Sequence, residues 1–371
     1  MTADDLISAE SVIRKNAPIL SDTPIDLTIQ AICSNIDIEF KYIATDYVFP
    51  RVFKINGEYN IIWDQTYWQI YFDFLVALAD FNSELSADNT VFYENSTRGK
   101  IQYVFSNYLA LVVKNPIVAT NFAAFYHSGQ FDVQIIRPGM SIADFQDYVE
   151  IAKLFTAIHE QYHIIFKRDE LRKREELSAA ADSLKTIFAL IENMSDSFIK
   201  SEFLVNKNDL LLIISAASQN NDLQIDVMCD TYAFNTCLTV FRECWKEKFT
   251  DREIVTRCLE GIRILGYFNS TLLGLRMFWQ ECGCDIKSLK LFQKANTHRS
   301  YLSEFMSILQ LYAQGLSEYE DKDLWKFGGF EDHYKLESLV YSYFFSDEAV
   351  KKWKQTSSTI KRRFELLDWR V

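Results

Sequence analysis

Phe155-Thr156-Ala157-Ile158-His159-Glu160-Gln161-Tyr162-His163-Ile164-Ile165-Phe166 carries two imidazoles four residues apart, with a carboxylate beside the first. On an α-helix, positions i and i+4 share a face, so His159 and His163 can grip one ion while Glu160 stands next to it. Two His ligands and a Glu that takes a proton from a metal-activated water are the working parts of zinc hydrolases. From Ile151 to Phe166 the stretch is apolar almost all round, with Lys153 and Gln161 the main exceptions. That pattern predicts a buried helix. Buried polar groups without partners are costly, and a metal would satisfy both histidines and the glutamate together. The other reading is a core helix whose histidines hydrogen-bond nearby backbone or carboxylates.

A third protein ligand is needed, because catalytic zinc keeps three and leaves one position open. Ile225-Asp226-Val227-Met228-Cys229-Asp230-Thr231-Tyr232-Ala233 offers one. Asp226 and Asp230 lie one turn apart on a stripe that continues through Ala233, Cys237 and Val240. Two acids opening a core-facing stripe repel unless something cationic joins them. Asp226 as ligand, with Asp230 accepting from a ligating imidazole, resolves the repulsion. Two alternatives stay open: Asp222, one turn earlier, as the ligand, or an exposed first turn where acids simply answer the helix dipole.

His159-Glu160-x-x-His163, followed by Asp226, three residues and Asp230, resembles the zincin metallopeptidases, in their gluzincin-type arrangement. The resemblance implies a Zn2+ cofactor held by His159, His163 and Asp226, Glu160 as the catalytic acid–base, and Asp230 as the brace of a histidine. This chain carries Asp where those peptidases usually carry Glu as third ligand. A metzincin pattern is not met, since no Gly or third His follows at the required spacing. At the level of the motif the chain also resembles phage-exclusion peptidases of bacteria, which implies a role in phage defence.

Outward from this helix, Phe131, Val133 and Ile135 alternate with Asp132 and Gln134, a strand ending at Pro138-Gly139. Ser141 and Asp144 then open the metal helix in the manner of a capping box. In zincin-like folds a strand in that neighbourhood lines the cleft and pairs with an extended substrate. Phe131, Val133 and Ile135 are therefore expected at the substrate edge, left open or covered by the C-terminal third. Earlier in the chain, Ile36 to Tyr42 alternates as a strand. Phe53 and Ile55 meet Tyr59, Ile61 and Trp63 across Asn56-Gly57, a hairpin signal. Asp64 can cap the next helix. Helices are expected near 98–113, from Leu177 to Met194, from Leu223 to Trp245, and through most of the chain beyond Asp251.

The expected fold class is thus α+β and predominantly helical: a small antiparallel sheet packed with the metal helix, followed by a helical C-terminal region. A weak division falls between 1–250 and 251–371. Only 11 Gly and 5 Pro in 371 residues agree with long helices, and 49% hydrophobic residues suffice for a large core. A net charge of −12 disfavours nucleic acid as a partner. The apolar runs are too short for a membrane span. Seven irregularly spaced cysteines and an N-terminus, Met1-Thr2-Ala3-Asp4-Asp5-Leu6, without a signal-like apolar stretch point to a cytoplasmic protein with reduced thiols. The function expected is a zinc endopeptidase acting on a protein or peptide. Two alternatives are a protein-interaction module with a structural metal or none, and a zinc hydrolase of a non-peptide amide. His127, His298, His333 or Tyr232 could supply a donor to the developing oxyanion.

Overall fold

The computed structural model describes residues 24–36, 38–43, 50–55, 57–85, 104–106, 108–109, 142–197, 199, 206–280, 303 and 351. Among them the chain is predominantly helical, running α1 (Pro24–Ser34), β1 (Glu39–Ile43), β2 (Arg51–Ile55), β3 (Glu58–Asp64), α2 (Gln65–Leu85), α3 (Ile142–Arg168), α4 (Glu170–Asn193), α5 (Lys207–Ala217), α6 (Asn221–Trp245) and α7 (Asp251–Gln280).

The three strands form one sheet in the order β1-β3-β2. Gly57 adopts φ 90°, the left-handed region a tight connection needs, and sets β2 antiparallel to β3 with Ile55 opposite Glu58. β1 joins the other edge of β3 in parallel, Glu39 opposite Asn60 and Ile43 opposite Asp64. The sheet is therefore mixed, which corrects the expectation of an antiparallel one. The first strand also starts later than its alternation predicts. The N–H groups of Ile36 and Ile38 both donate to the Cys33 carbonyl, at 3.2 and 3.1 Å, so this segment closes the end of α1 before pairing begins. In the central strand, Asn60 to Asp64 are all buried, and Ile61-Ile62-Trp63 reads as a continuous apolar run because both faces are covered.

Asp64 ends β3 and caps α2, its Oδ1 accepting the Thr66 N–H at 3.0 Å. Tyr67, Tyr71 and Phe74 repeat at helical spacing, and their rings gather on Phe268 of α7 at centroid distances of 5.5, 5.1 and 5.2 Å. α7 opens on a reciprocal cap: the Thr250 N–H donates to Glu253 Oε2 at 2.8 Å, and the Glu253 N–H to Thr250 Oγ1 at 3.3 Å.

The long polar run after Phe166 is helical on both sides of a single break. Asp169 leaves the helix with φ −125° and ψ 92°, and its side chain accepts the Arg172 N–H at 2.9 Å. The next helix thus begins at Glu170, earlier than Leu177. It buries only Ala180, Leu184, Ile187 and Ile191, a single stripe.

Two apolar clusters result. The first joins α1, the sheet, α2, the body of α3, the second half of α6 and α7. The second joins α4, α5 and the first half of α6 with Phe166 at the end of α3. Residues 251–280 therefore share a core with α3, and the step from Thr250 to Asp251 is a helix start inside it.

α3 is held along its length by specific contacts. Lys153, the cation in its apolar stretch, reaches Asp26 of α1 at 3.2 Å. Asp147 faces Lys248 at 3.0 Å and Arg257 at 3.3 Å. Near its end, the Arg168 guanidinium donates to the Ile36 carbonyl at 2.6 Å. Gly261 of α7 passes so close to Ile151 that a Cβ there would lie 3.0 Å from Ile151 Cγ2.

Candidate metal centre

Both halves of the centre come from helical spacing. His159 and His163 project from one face of α3, their ring centroids 4.7 Å apart at 77°. Asp226 and Asp230 project from one face of α6, which crosses α3 where the two apolar clusters meet. The helices run antiparallel here, because the earlier histidine meets the later aspartate. His159 Nδ1 lies 2.8 Å from Asp230 Oδ1, and His163 Nε2 lies 3.2 Å from Asp226 Oδ1.

The two contacts do different things. Asp230 takes the Nδ1 side of His159, which favours the tautomer whose Nε2 keeps its lone pair. That Nε2 lies 3.0 Å from the Nε2 of His163. His159 Nε2, His163 Nε2 and an Asp226 oxygen thus converge, and one ligand atom from each lies within 4.8 Å of the others. A tetrahedral zinc with bonds of about 2.0–2.1 Å separates its ligand atoms by about 3.3 Å. The separations of 3.0 and 3.2 Å lie close to that edge, so these residues fit a zinc ion.

Accessibility is graded across the group. The side chains of His159 and Asp230 are 11% and 9% exposed, those of His163 and Asp226 21% and 33%. His159 and Asp230 form the inner pair, and His163 and Asp226 the more open one. Glu160 is half-buried on α3, about 100° around the helix from His159. Asp222 is exposed in the first turn of α6 and stands outside the converging group, which Asp226 joins.

Tyr162 and Tyr232 stack beside the centre at 4.4 Å and 9°, between α3 and α6. The Tyr232 hydroxyl donates to Glu176 Oε1 at 2.6 Å, and burial together with that carboxylate pushes its phenol up. Its hydroxyl is thus engaged by α4, and no described contact brings it to the converging ligands. Arg172 lies over the Tyr162 ring at 5.8 Å. Sequence reasoning did not find the Glu176 and Arg172 contacts, and it missed Ser303, whose hydroxyl donates to Asp230 Oδ2 at 2.6 Å. Nothing local marks a serine 73 residues away as a partner. The expected strand residues Phe131, Val133 and Ile135, the Ser141 cap, and His127, His298 and His333 lie outside the described residues.

No family model matches the chain, and no curated protein or solved structure matches it. Among the described residues, no helix is long and apolar enough to cross a membrane.

Proposed function

We propose that this protein is a zinc-dependent endopeptidase that cleaves a cytoplasmic protein. The observation that carries the reading is the convergence of His159 Nε2, His163 Nε2 and Asp226 Oδ1, at 3.0 and 3.2 Å, with Asp230 behind His159. His159, His163 and Asp226 hold the ion. When bound, zinc supplies a Lewis acid that lowers the pKa of water and polarises a carbonyl. Asp230 fixes the His159 ring by holding its Nδ1 side, so that Nε2 stays available. Glu160 accepts the proton of the attacking water and returns it to the leaving amine.

The likeness to gluzincin-type zincins rests on His159-Glu160-x-x-His163 and on two aspartates one turn apart. An Asp at the third-ligand position has one methylene less than the Glu usual there. The 3.2 Å approach to His163 supports an Asp in this place, because α6 lies near enough for the shorter side chain. A peptide substrate in the cytoplasm, and a role in phage defence, follow from that likeness and belong to the same proposal.

Elemental analysis tests the metal: about one zinc per chain is expected. His159→Ala, His163→Ala and Asp226→Ala should each lose most of it, and Asp222→Ala should keep it. Stoichiometric zinc that survives loss of both histidines would refute the centre. Comparing the proteomes of cells expressing wild type or Glu160→Gln tests the chemistry, since the variant should keep its zinc while the cleavage products disappear.

A further inference from the structure

Each oxygen of Asp230 has a close partner. Oδ1 faces His159 Nδ1 at 2.8 Å, and Oδ2 accepts from the Ser303 hydroxyl at 2.6 Å. All three residues are buried, His159 at 9%, Asp230 at 7% and Ser303 at 8% exposure. A carboxylate gripped at one oxygen can still turn about its Cβ–Cγ bond. Gripped at both, it holds one plane, and the imidazole it faces inherits that orientation. A short hydrogen bond from a hydroxyl to a carboxylate is among the stronger ones, and burial keeps water from replacing it.

We propose that Ser303 is a positioning residue of the metal centre: it fixes Asp230, which fixes His159. The inference rests on the metal reading given above and extends it to a residue far along the chain, beyond α7. Through this hydroxyl the C-terminal third of the protein takes part in setting zinc affinity, without contributing a ligand.

The test is a double-mutant cycle on the full-length protein, reading the zinc dissociation constant by competition with a chromogenic chelator. Removing a residue that orients a metal-bound histidine typically weakens metal affinity about 10- to 100-fold. Asp230→Asn should fall in that range, and Ser303→Ala near its lower end, about 10-fold. Ser303→Thr keeps the hydroxyl and should recover most of the affinity. Ser303→Cys offers a slightly larger side chain with a weaker donor and should lie between them. In the Asp230→Asn background, Ser303→Ala should add less than about twofold, because its effect passes through the carboxylate.

A second readout needs no metal. In the zinc-free protein, long-range 1H–15N correlations of labelled histidine report the His159 tautomer. Ser303→Ala should move population away from the Nδ1–H form, and Ser303→Thr should restore it. An Ser303→Ala protein with wild-type zinc affinity and an unchanged His159 signal would overturn the proposal, as would full additivity with Asp230→Asn. If wild type binds no zinc but Ser303→Ala still shifts the His159 signal, the endopeptidase reading falls while the positioning role stands.

Discussion

Gly261→Ala tests how closely α7 is pressed against α3. An added Cβ would meet Ile151 Cγ2 at 3.0 Å and Ile151 Cβ and Cδ1 at 3.3 Å each. Carbon atoms prefer about 3.5–4.0 Å, so all three contacts are compressed. Ile151 is fully buried in the first cluster, so any movement away from the methyl must displace neighbouring core side chains. Against this, Ala in a helix interior gains about 1 kcal/mol over Gly. Overpacking of a tight core costs about 1–3 kcal/mol, so the net effect should be a loss of about 1 kcal/mol rather than a gain. Urea denaturation would measure it, with Ile151→Ala as the second arm. That truncation alone should cost about 2–5 kcal/mol through its cavity. The Gly261→Ala methyl would point into that cavity, so the double variant should be more stable than the sum of the two losses by about 1 kcal/mol. Additive losses, or a Gly261→Ala protein stabilised by the whole helix-propensity term, would refute the close approach.

Lys153→Met should cost about 3 kcal/mol, because it takes the lysine from a buried Asp26; adding Asp26→Leu should return part of that, as urea midpoints would show. Native thiol labelling at pH 8 should find Cys244 fast among the described cysteines, since it alone is exposed. Burial pushes Cys33 up to about 12 and raises Cys237 and Cys258 well above the ordinary thiol range, so rapid labelling of any of them would contradict the packing. Burial also raises the Glu150 carboxyl, against a hydrogen bond from Gln146. The folded protein therefore holds this proton to higher pH than the unfolded chain, and the stability contribution is lost as pH rises above about 4.5, the ordinary value. Glu150→Gln removes that loss, so its stability relative to wild type should increase from pH 4 towards neutrality; a flat difference would contradict the cause given.

The parts legible in the sequence are those whose signal is local. Two histidines at i and i+4, two aspartates at the same spacing, and an Asn-Gly between alternating runs each occupy a few adjacent residues. The Asp169 break was harder to place, because its flanks are charged on both sides and a cap looks like any other aspartate. The parallel pairing of β1 with β3 was not legible at all, since alternation sets which face is buried and says nothing of strand direction. Ser303 marks the same limit at the centre itself. A buried hydroxyl on a carboxylate is specified by tertiary packing between residues 73 apart, and neither carries a pattern of its own.

On α6 the acids form a ladder: Asp222, Asp226 and Asp230 recur every four residues, about 6 Å apart along the axis. Chemically the rungs are equivalent, so sliding one helix past the other by a turn would offer the histidines another aspartate. Register must come from elsewhere. Asn220 starts the helix by accepting the Leu223 N–H at 3.1 Å, Gln224 ties its first turn to the carbonyls of Ala217 and Ser218, and the Tyr232 ring lies flat on Tyr162. These neutral neighbours, each of one fixed length and shape, select the rung that meets His163. Which aspartate meets the histidines is thus written in the packing of the ladder rather than in its charges.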